Sequence, residues 1–314
     1  MAANKAVQGI VILGMPRSGT TLLRRLLDAH PAICCPPETN VFRAAARFLH
    51  QEAFAGGVSM GVLSGLSFAG IAEHVTVGRL RELVFGLLQD ICRQSGKTRW
   101  AEKTALNIFH LDQIEQLCGD SCRFLCLVRH PLDVVCSIKE LTDKMEMYVA
   151  ELRPYILRHP APLEAFAHAW VERNARLRRF VNDHPDDCYA LTYENLVQNP
   201  AEELGRIFGF LGEPADVPEI LSRALYGIPT IGLGDWKTYD RRAIHTDSMG
   251  RWQHLSPHTV SRLVDILGAE MALAGYPPIA AGASPPPEVA RRQFTLGMQV
   301  AHMRSGKEAE TRRA

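Results

Sequence analysis

Two short stretches of this 314-residue chain carry residue types and spacings suited to gripping anions. The first is Gly14-Met15-Pro16-Arg17-Ser18-Gly19-Thr20-Thr21, lying between an apolar run and a helical pattern. In that setting a glycine-rich turn aims backbone N–H groups and a helix N-terminus at a phosphate. The spacing is that of a P-loop, with Thr21 at the Ser/Thr position, but Thr20 stands where a Walker loop has lysine. Arg17 is the cation inside the loop. A Walker lysine reaches the outer phosphates and the hydroxyl holds Mg²⁺. One arginine with two threonines instead suits a single phosphate without a metal. Ser18, Gly19, Thr20 and Thr21 are the candidate phosphate ligands.

The second stretch is Phe124-Leu125-Cys126-Leu127-Val128-Arg129-His130-Pro131. Arg129 closes an apolar run, and Ser137 lies two turns into the helix that follows. A guanidinium and a hydroxyl so placed can converge on one anion. Two separate anion sites fit a nucleotide phosphorylated at both ends of its ribose. His130, His245 and His254 are alternative proton acceptors, although His130, wedged between Arg129 and Pro131, reads as structural. No His/Cys/Asp arrangement has metal-ligand spacing, so no metal is expected.

These residues need a strand-and-helix scaffold, and the chain reads as one. Strands are predicted at 8–14, 32–37, 123–128 and 188–192. Helices are predicted at 20–29, 38–50, 79–93, 107–117, 133–141, 162–182, 200–211 and 257–274. The run RFLCLV at 123–128 has the continuous apolar character of a parallel strand buried on both faces. Residues 56–71 are rich in Gly and Ser and read as a mobile segment over a cleft. The fold class is α/β, a three-layer P-loop-like sandwich around a mostly parallel sheet. Residues 1–276 form the main unit, and the Pro- and charge-rich 277–314 read as a tail or peripheral helix.

Composition narrows the function. Formal net charge is +1, so no overall field draws the chain to nucleic acid or an anionic membrane, and an anion site must be built locally. The apolar run Ile10–Met15 is too short for a signal core, and no stretch approaches the ~20 apolar residues of a membrane helix. Eight cysteines without framework spacing read as buried free thiols in a reducing compartment, hence a cytoplasmic location.

PRSGTTLLRRLLDAHP together with LVRHPLDVVCSI resembles the paired phosphate-binding motifs of sulfotransferases that use 3′-phosphoadenosine-5′-phosphosulfate (PAPS). The first grips the 5′-phosphosulfate and the second the 3′-phosphate. Tyr193-Glu194-Asn195-Leu196 and Gly250-Arg251-Trp252 are similar to two later elements of that family, which makes Tyr193 and Arg251 candidate nucleotide contacts. Lys237, Arg241 and Arg242 compete with Arg251 to close over the nucleotide. The branch that looks nearest is the tyrosylprotein sulfotransferase-like one. Its catalytic Glu follows the first helix, where Glu38 stands here, and its sulfate-supporting Lys falls at Lys103.

The resemblance implies that Glu38 is the general base and that Arg17 and Lys103 stabilise the transferring group and leaving oxygen. Competing readings make Glu38 an N-capping or first-turn helix residue and Lys103 a solvated partner of Glu102. Pro37 and Asn40 depart from the branch's acidic residue and arginine. The second lies where that branch meets its acidic peptide and, with no membrane anchor or secretory signal expected, argues against protein tyrosine and for a small-molecule, sugar or lipid acceptor, through a hydroxyl or an amine. Rivals are a P-loop kinase or other NTP-using transferase, and a non-catalytic nucleotide-binding sensor.

Overall fold

The computed structural model describes residues 9–54, 56–57, 59–226 and 243–279. β1 (Gly9–Leu13) runs into the glycine turn and α1 (Thr20–Asp28); β2 (Ile33–Cys34) and α2 (Val41–Leu49) follow. A small ribbon, β3 (Gln51–Ala53) with β4 (Ser59–Gly61), leads into α3 (Val62–Phe68) and the long α4 (Glu73–Gln94). Next come β5 (Arg99–Glu102), a 3₁₀ turn at Ala105–His110, α5 (Leu111–Cys118) and β6 (Cys122–Val128). α6 (Pro131–Met145), α7 (Arg153–Arg158) and α8 (Pro162–Asp183) lead to β7 (Cys188–Thr192). α9 (Tyr193–Gln198), α10 (Pro200–Leu211), α11 (Val217–Tyr226), a 3₁₀ turn at Arg251–His254 and α12 (Pro257–Leu273) complete the described chain.

One sheet organises everything, with strand order β2-β5-β1-β6-β7. Every pairing in it is parallel; the β3–β4 ribbon stands apart and is antiparallel. Side chains alternate across a strand, so each strand feeds two cores. Val11, Leu13, Phe124 and Cys126 pack with Leu88, Leu117, Ile138, Trp170 and Leu267 of α4, α5, α6, α8 and α12. Ile10, Ile12, Leu125 and Leu127 pack on the other face with Leu23, Leu196, Phe208 and Ile220 of α1, α9, α10 and α11. This is the three-layer sandwich the sequence calls for, and it explains why β1 and β6 read as unbroken apolar runs.

Helix boundaries follow local chemistry. Pro131, Pro162, Pro200 and Pro257 open α6, α8, α10 and α12, a position where the missing N–H is no loss. Ser256 caps α12 by accepting from the Thr259 N–H at 3.2 Å.

Within the Gly- and Ser-rich stretch, residues 59–68 form β4 and α3. Two expectations need correction. α2 starts at Val41 rather than 38, because Asn40 takes a left-handed conformation at its N-cap (φ 57°), which asparagine tolerates. β5 has no counterpart among the predicted strands. Lys237, Arg241 and Arg242 lie outside the described residues, as does the expected tail beyond Ile279.

With five parallel strands, every strand-to-helix loop opens on the same carboxyl edge. Arg17, Glu38, Lys103, Arg129 and Tyr193 follow β1, β2, β5, β6 and β7 respectively. That edge is where open α/β sheets bind ligands.

Candidate active site

The glycine turn is held tightly between its neighbours. A Cβ on Gly14 would stand 2.6 Å from the Leu127 carbonyl oxygen, and one on Gly19 2.4 Å from the Tyr193 ring. Gly19 also sits at φ 96°, a conformation that favours glycine. Arg17 adopts φ 73°, uncommon for a residue with a side chain and typical of functional loops. The first turn of α1 holds no acidic residue, so its positive end is not neutralised from within. Ser18 is 1% exposed, and its hydroxyl has no partner.

The two candidate anion-binding stretches meet directly. Arg129 Nη1 donates to the Arg17 carbonyl at 2.7 Å, and its Nη2 donates to the Ser248 carbonyl. The guanidinium lies over the Tyr193 ring at 4.5 Å, a cation–π contact, and its buried Nε has no partner. Tyr193 thus fills the space between Gly19 and Arg129. Ser137, expected to converge with Arg129 on one anion, accepts from Arg17 Nε at 3.0 Å. Both orphaned donors, Ser18 Oγ and Arg129 Nε, fit a multiply phosphorylated ligand, since buried polar groups seldom go unpaired.

Glu38 and Lys103 form the second half of the site. Lys103, 1% exposed, donates to Glu38 Oε1 at 2.7 Å and to Thr21 Oγ1 at 3.1 Å. The lysine therefore joins the carboxylate to the end of the glycine turn. The solvated-lysine reading fails, because Glu102 is not its partner. Glu102 is fully buried and accepts from Thr39 Oγ1 (3.1 Å), Thr104 Oγ1 (2.6 Å) and Asn107 Nδ2 (2.6 Å). Burial pushes the Glu102 carboxyl up, against the pull of those donors and of Lys103. The first-turn reading of Glu38 fails too, since it precedes the N-cap of α2 and its Oε1 receives Lys103 and, at 3.4 Å, the Ala105 N–H.

Buried arginine holds the loop that carries Glu38. Arg24 Nη1 donates to the Cys35 carbonyl at 3.0 Å, and the Cys35 N–H donates to Asp28 at 2.9 Å. Sequence reasoning passed over Arg24 because a mid-helix arginine usually faces water; only its 2% exposure reveals the role.

The C-terminal GRW element docks on α6. Asp133 accepts from the N–H groups of Gly250 (2.9 Å) and Trp252 (3.2 Å). Arg251 pairs with Glu140 at 2.7 Å, and Trp252 stacks on His130 with ring centroids 5.7 Å apart. His130 is held below its usual range by burial, outweighing Asp133 and Glu194, and its backbone N–H donates to Glu194 at 3.0 Å. That is the structural role expected of it. His245 and His254 are exposed. Among the described residues no group of three or more His, Cys, Asp or Glu is placed to hold a metal.

Beyond Glu38, Glu151 ties the segment before α7 to α2. It receives Arg43 at 2.6 and 2.9 Å and Arg47 at 3.3 Å, with His110 Nε2 at 3.4 Å. Burial raises this carboxyl, but hydrogen bonding to His110 and Arg43 outweighs it and holds the group at about 2. A depressed carboxylate stabilises the fold above its unfolded pKa of about 4.3 and loses that contribution as pH falls. Thermal midpoints should therefore drop between about pH 4.3 and 2. The Glu151→Gln variant should show a shallower fall there; an unchanged profile would rule the network out as an acid-sensitive tie.

The family model described as "Sulfotransferase family" matches residues 9–217. The chain belongs to the sulfotransferase family. This sulfotransferase is 26% identical over 277 residues to nodulation protein NoeE of Sinorhizobium fredii, a match covering 84% of the chain and 65% of NoeE. It thus spans just under two thirds of that relative's length. It is 24% identical over 274 residues to a putative protein-tyrosine sulfotransferase of Caenorhabditis briggsae, covering 86% and 89% of the two chains. Among solved structures it is similar to the sulfotransferase domain from the curacin biosynthetic pathway (TM-score 0.55, 20% identity, 84% and 98% coverage). It is also similar to mouse sulfotransferase SULT7A1 complexed with PAP (TM-score 0.51, 16% identity, 84% of each chain). At these identities the structural likeness shows a shared fold.

Proposed function

We propose that this sulfotransferase moves the sulfuryl group of PAPS onto an acceptor hydroxyl, or amine, with Glu38 as general base. The observation that carries the proposal is the Lys103 bridge, which brings one carboxylate and the phosphate loop within hydrogen-bond reach of a single buried ammonium. Transfer of this kind depends mostly on positioning and charge stabilisation.

PAPS supplies the sulfuryl group. Ser18, Gly19, Thr20 and Thr21 hold the 5′-phosphate end with the α1 N-terminus. Arg129, with Ser137 and Tyr193, holds the 3′-phosphate end, and Arg251 closes from the α6 side. Glu38 takes the acceptor proton as the acceptor attacks. Lys103 and Arg17 neutralise the charge that gathers on the departing phosphate oxygen. No metal enters this scheme.

The acceptor is a small-molecule, sugar or lipid hydroxyl in this reading. Asn40 supports it: where the tyrosylprotein branch has arginine, this chain offers a neutral side chain, held in place by its residue's backbone N–H donating to Thr104 Oγ1 at 3.2 Å. A protein-tyrosine acceptor is the second reading, favoured by the names of several relatives. Free, mostly buried thiols fit a reducing cytoplasmic setting. No helix among the described residues is long and apolar enough to cross a membrane.

Thermal shift with 3′,5′-adenosine diphosphate against ATP-Mg²⁺ tests the donor, and labelled PAPS with glycan, lipid and tyrosine-peptide acceptors tests the rest. Stabilisation by ATP-Mg²⁺ alone would sink the proposal in favour of an NTP-using enzyme. Nucleotide binding without transfer to any acceptor would favour a sensor. The Arg129→Ala variant should lose about 10- to 100-fold in affinity for 3′,5′-adenosine diphosphate, the worth of a charged hydrogen bond. Unchanged affinity would refute its place at the 3′-phosphate.

A further inference from the structure

Glu102 ends β5, opposite Val11 of the central strand, and is fully buried. Its neighbour Lys103 turns away to Glu38 and Thr21, so no cation sits among its hydrogen-bond partners. A buried carboxylate is costly unless its oxygens are bonded, and an apolar residue of similar volume often serves stability as well. What the carboxylate does instead is join two loops. Thr39, which follows Glu38, and Thr104, which follows Lys103, both donate to Glu102 Oε1. Thr104 Oγ1 in turn accepts the Asn40 N–H, and Asn107 holds Oε2. The β2 and β5 loops are thus fastened together one residue away from each end of the Glu38–Lys103 pair.

We propose that Glu102 is a positioning residue for sulfuryl transfer, a buried clasp that sets Glu38 and Lys103 in register through Thr39 and Thr104. The inference rests on the reading of Glu38 as base and Lys103 as stabiliser of the leaving oxygen. Neither Glu102 nor the threonines touch substrate in it.

The test uses the full chain, with turnover expressed per site that binds 3′,5′-adenosine diphosphate. Thr39→Val removes one clasp bond with little change of shape and should lower kcat about tenfold, with nucleotide affinity unchanged. Thr39→Ser should restore it. Glu102→Ala should lose about a hundredfold in kcat, the cost of misplacing reacting groups by an ångström. Glu102→Gln keeps an acceptor for both threonines, and Asn107, whose Oδ1 has no partner, can turn its amide to receive the new NH₂; kcat should stay within about threefold. Wild-type kcat per site in Thr39→Val and Glu102→Ala would overturn the clasp while leaving Glu38 and Lys103 as assigned. Equal loss in Glu102→Gln and Glu102→Ala would overturn it as well, by showing that charge and not the threonine bonds matters. Full activity in Glu38→Gln would overturn the underlying reading, and the clasp with it.

Discussion

Replacing Glu38 with glutamine should cut sulfate transfer by ~10²–10⁴-fold, the usual worth of a positioned general base. The substitution is well suited to isolating proton transfer. Glutamine keeps an oxygen for Lys103 Nζ and for the Ala105 N–H, so the loop need not move and nucleotide binding should persist. What disappears is the capacity to take the acceptor's proton. Single-turnover rates with saturating PAPS, set beside a titration with 3′,5′-adenosine diphosphate, separate the two. A variant that turns over at the wild-type rate would end the base assignment.

Lys103→Met should cost ~10²–10³ in kcat, the range found when a donor aimed at developing charge is removed. The argument starts from burial: at 1% exposure the ammonium is shielded from water, where its field on nearby oxygens is stronger. Its partners, Thr21 and Glu38, place it between the glycine loop and the proposed base. Because the interaction grows as the leaving oxygen charges, kcat and kcat/KM should fall together. Lys103→Arg should not rescue, since a planar fork cannot replace a compact ammonium between contacts of 2.7 and 3.1 Å. A rise in KM alone would reassign the lysine to ground-state binding.

Much of the fold was legible because long apolar runs have few readings. β1 and β6 are buried on both faces and announce a parallel sheet. β5 was not legible for the opposite reason. Arg99-Trp100-Ala101-Glu102 is four residues bounded by charge, and it becomes a strand only by pairing with β1 on one side and β2 on the other. The β3–β4 hairpin was not legible either, because each strand is only three residues long, too short to show a period.

Within the site, the sequence by itself determined residue types and their order: a glycine turn without a Walker lysine and an arginine after an apolar strand, while Glu38 and Lys103 stood out only through the family resemblance. Those depend on local chain chemistry, which neighbours in sequence carry. The tertiary structure decided which of them touch. Arg17 reaches across to Ser137, Lys103 belongs to Glu38 rather than solvent, and Glu102 to three donors from two loops. Apart from Thr104 and Asn107, which follow Glu102 in the chain, each pairing crosses between strands that are distant in sequence and adjacent in the sheet, so strand order had to be in place before partners could be named.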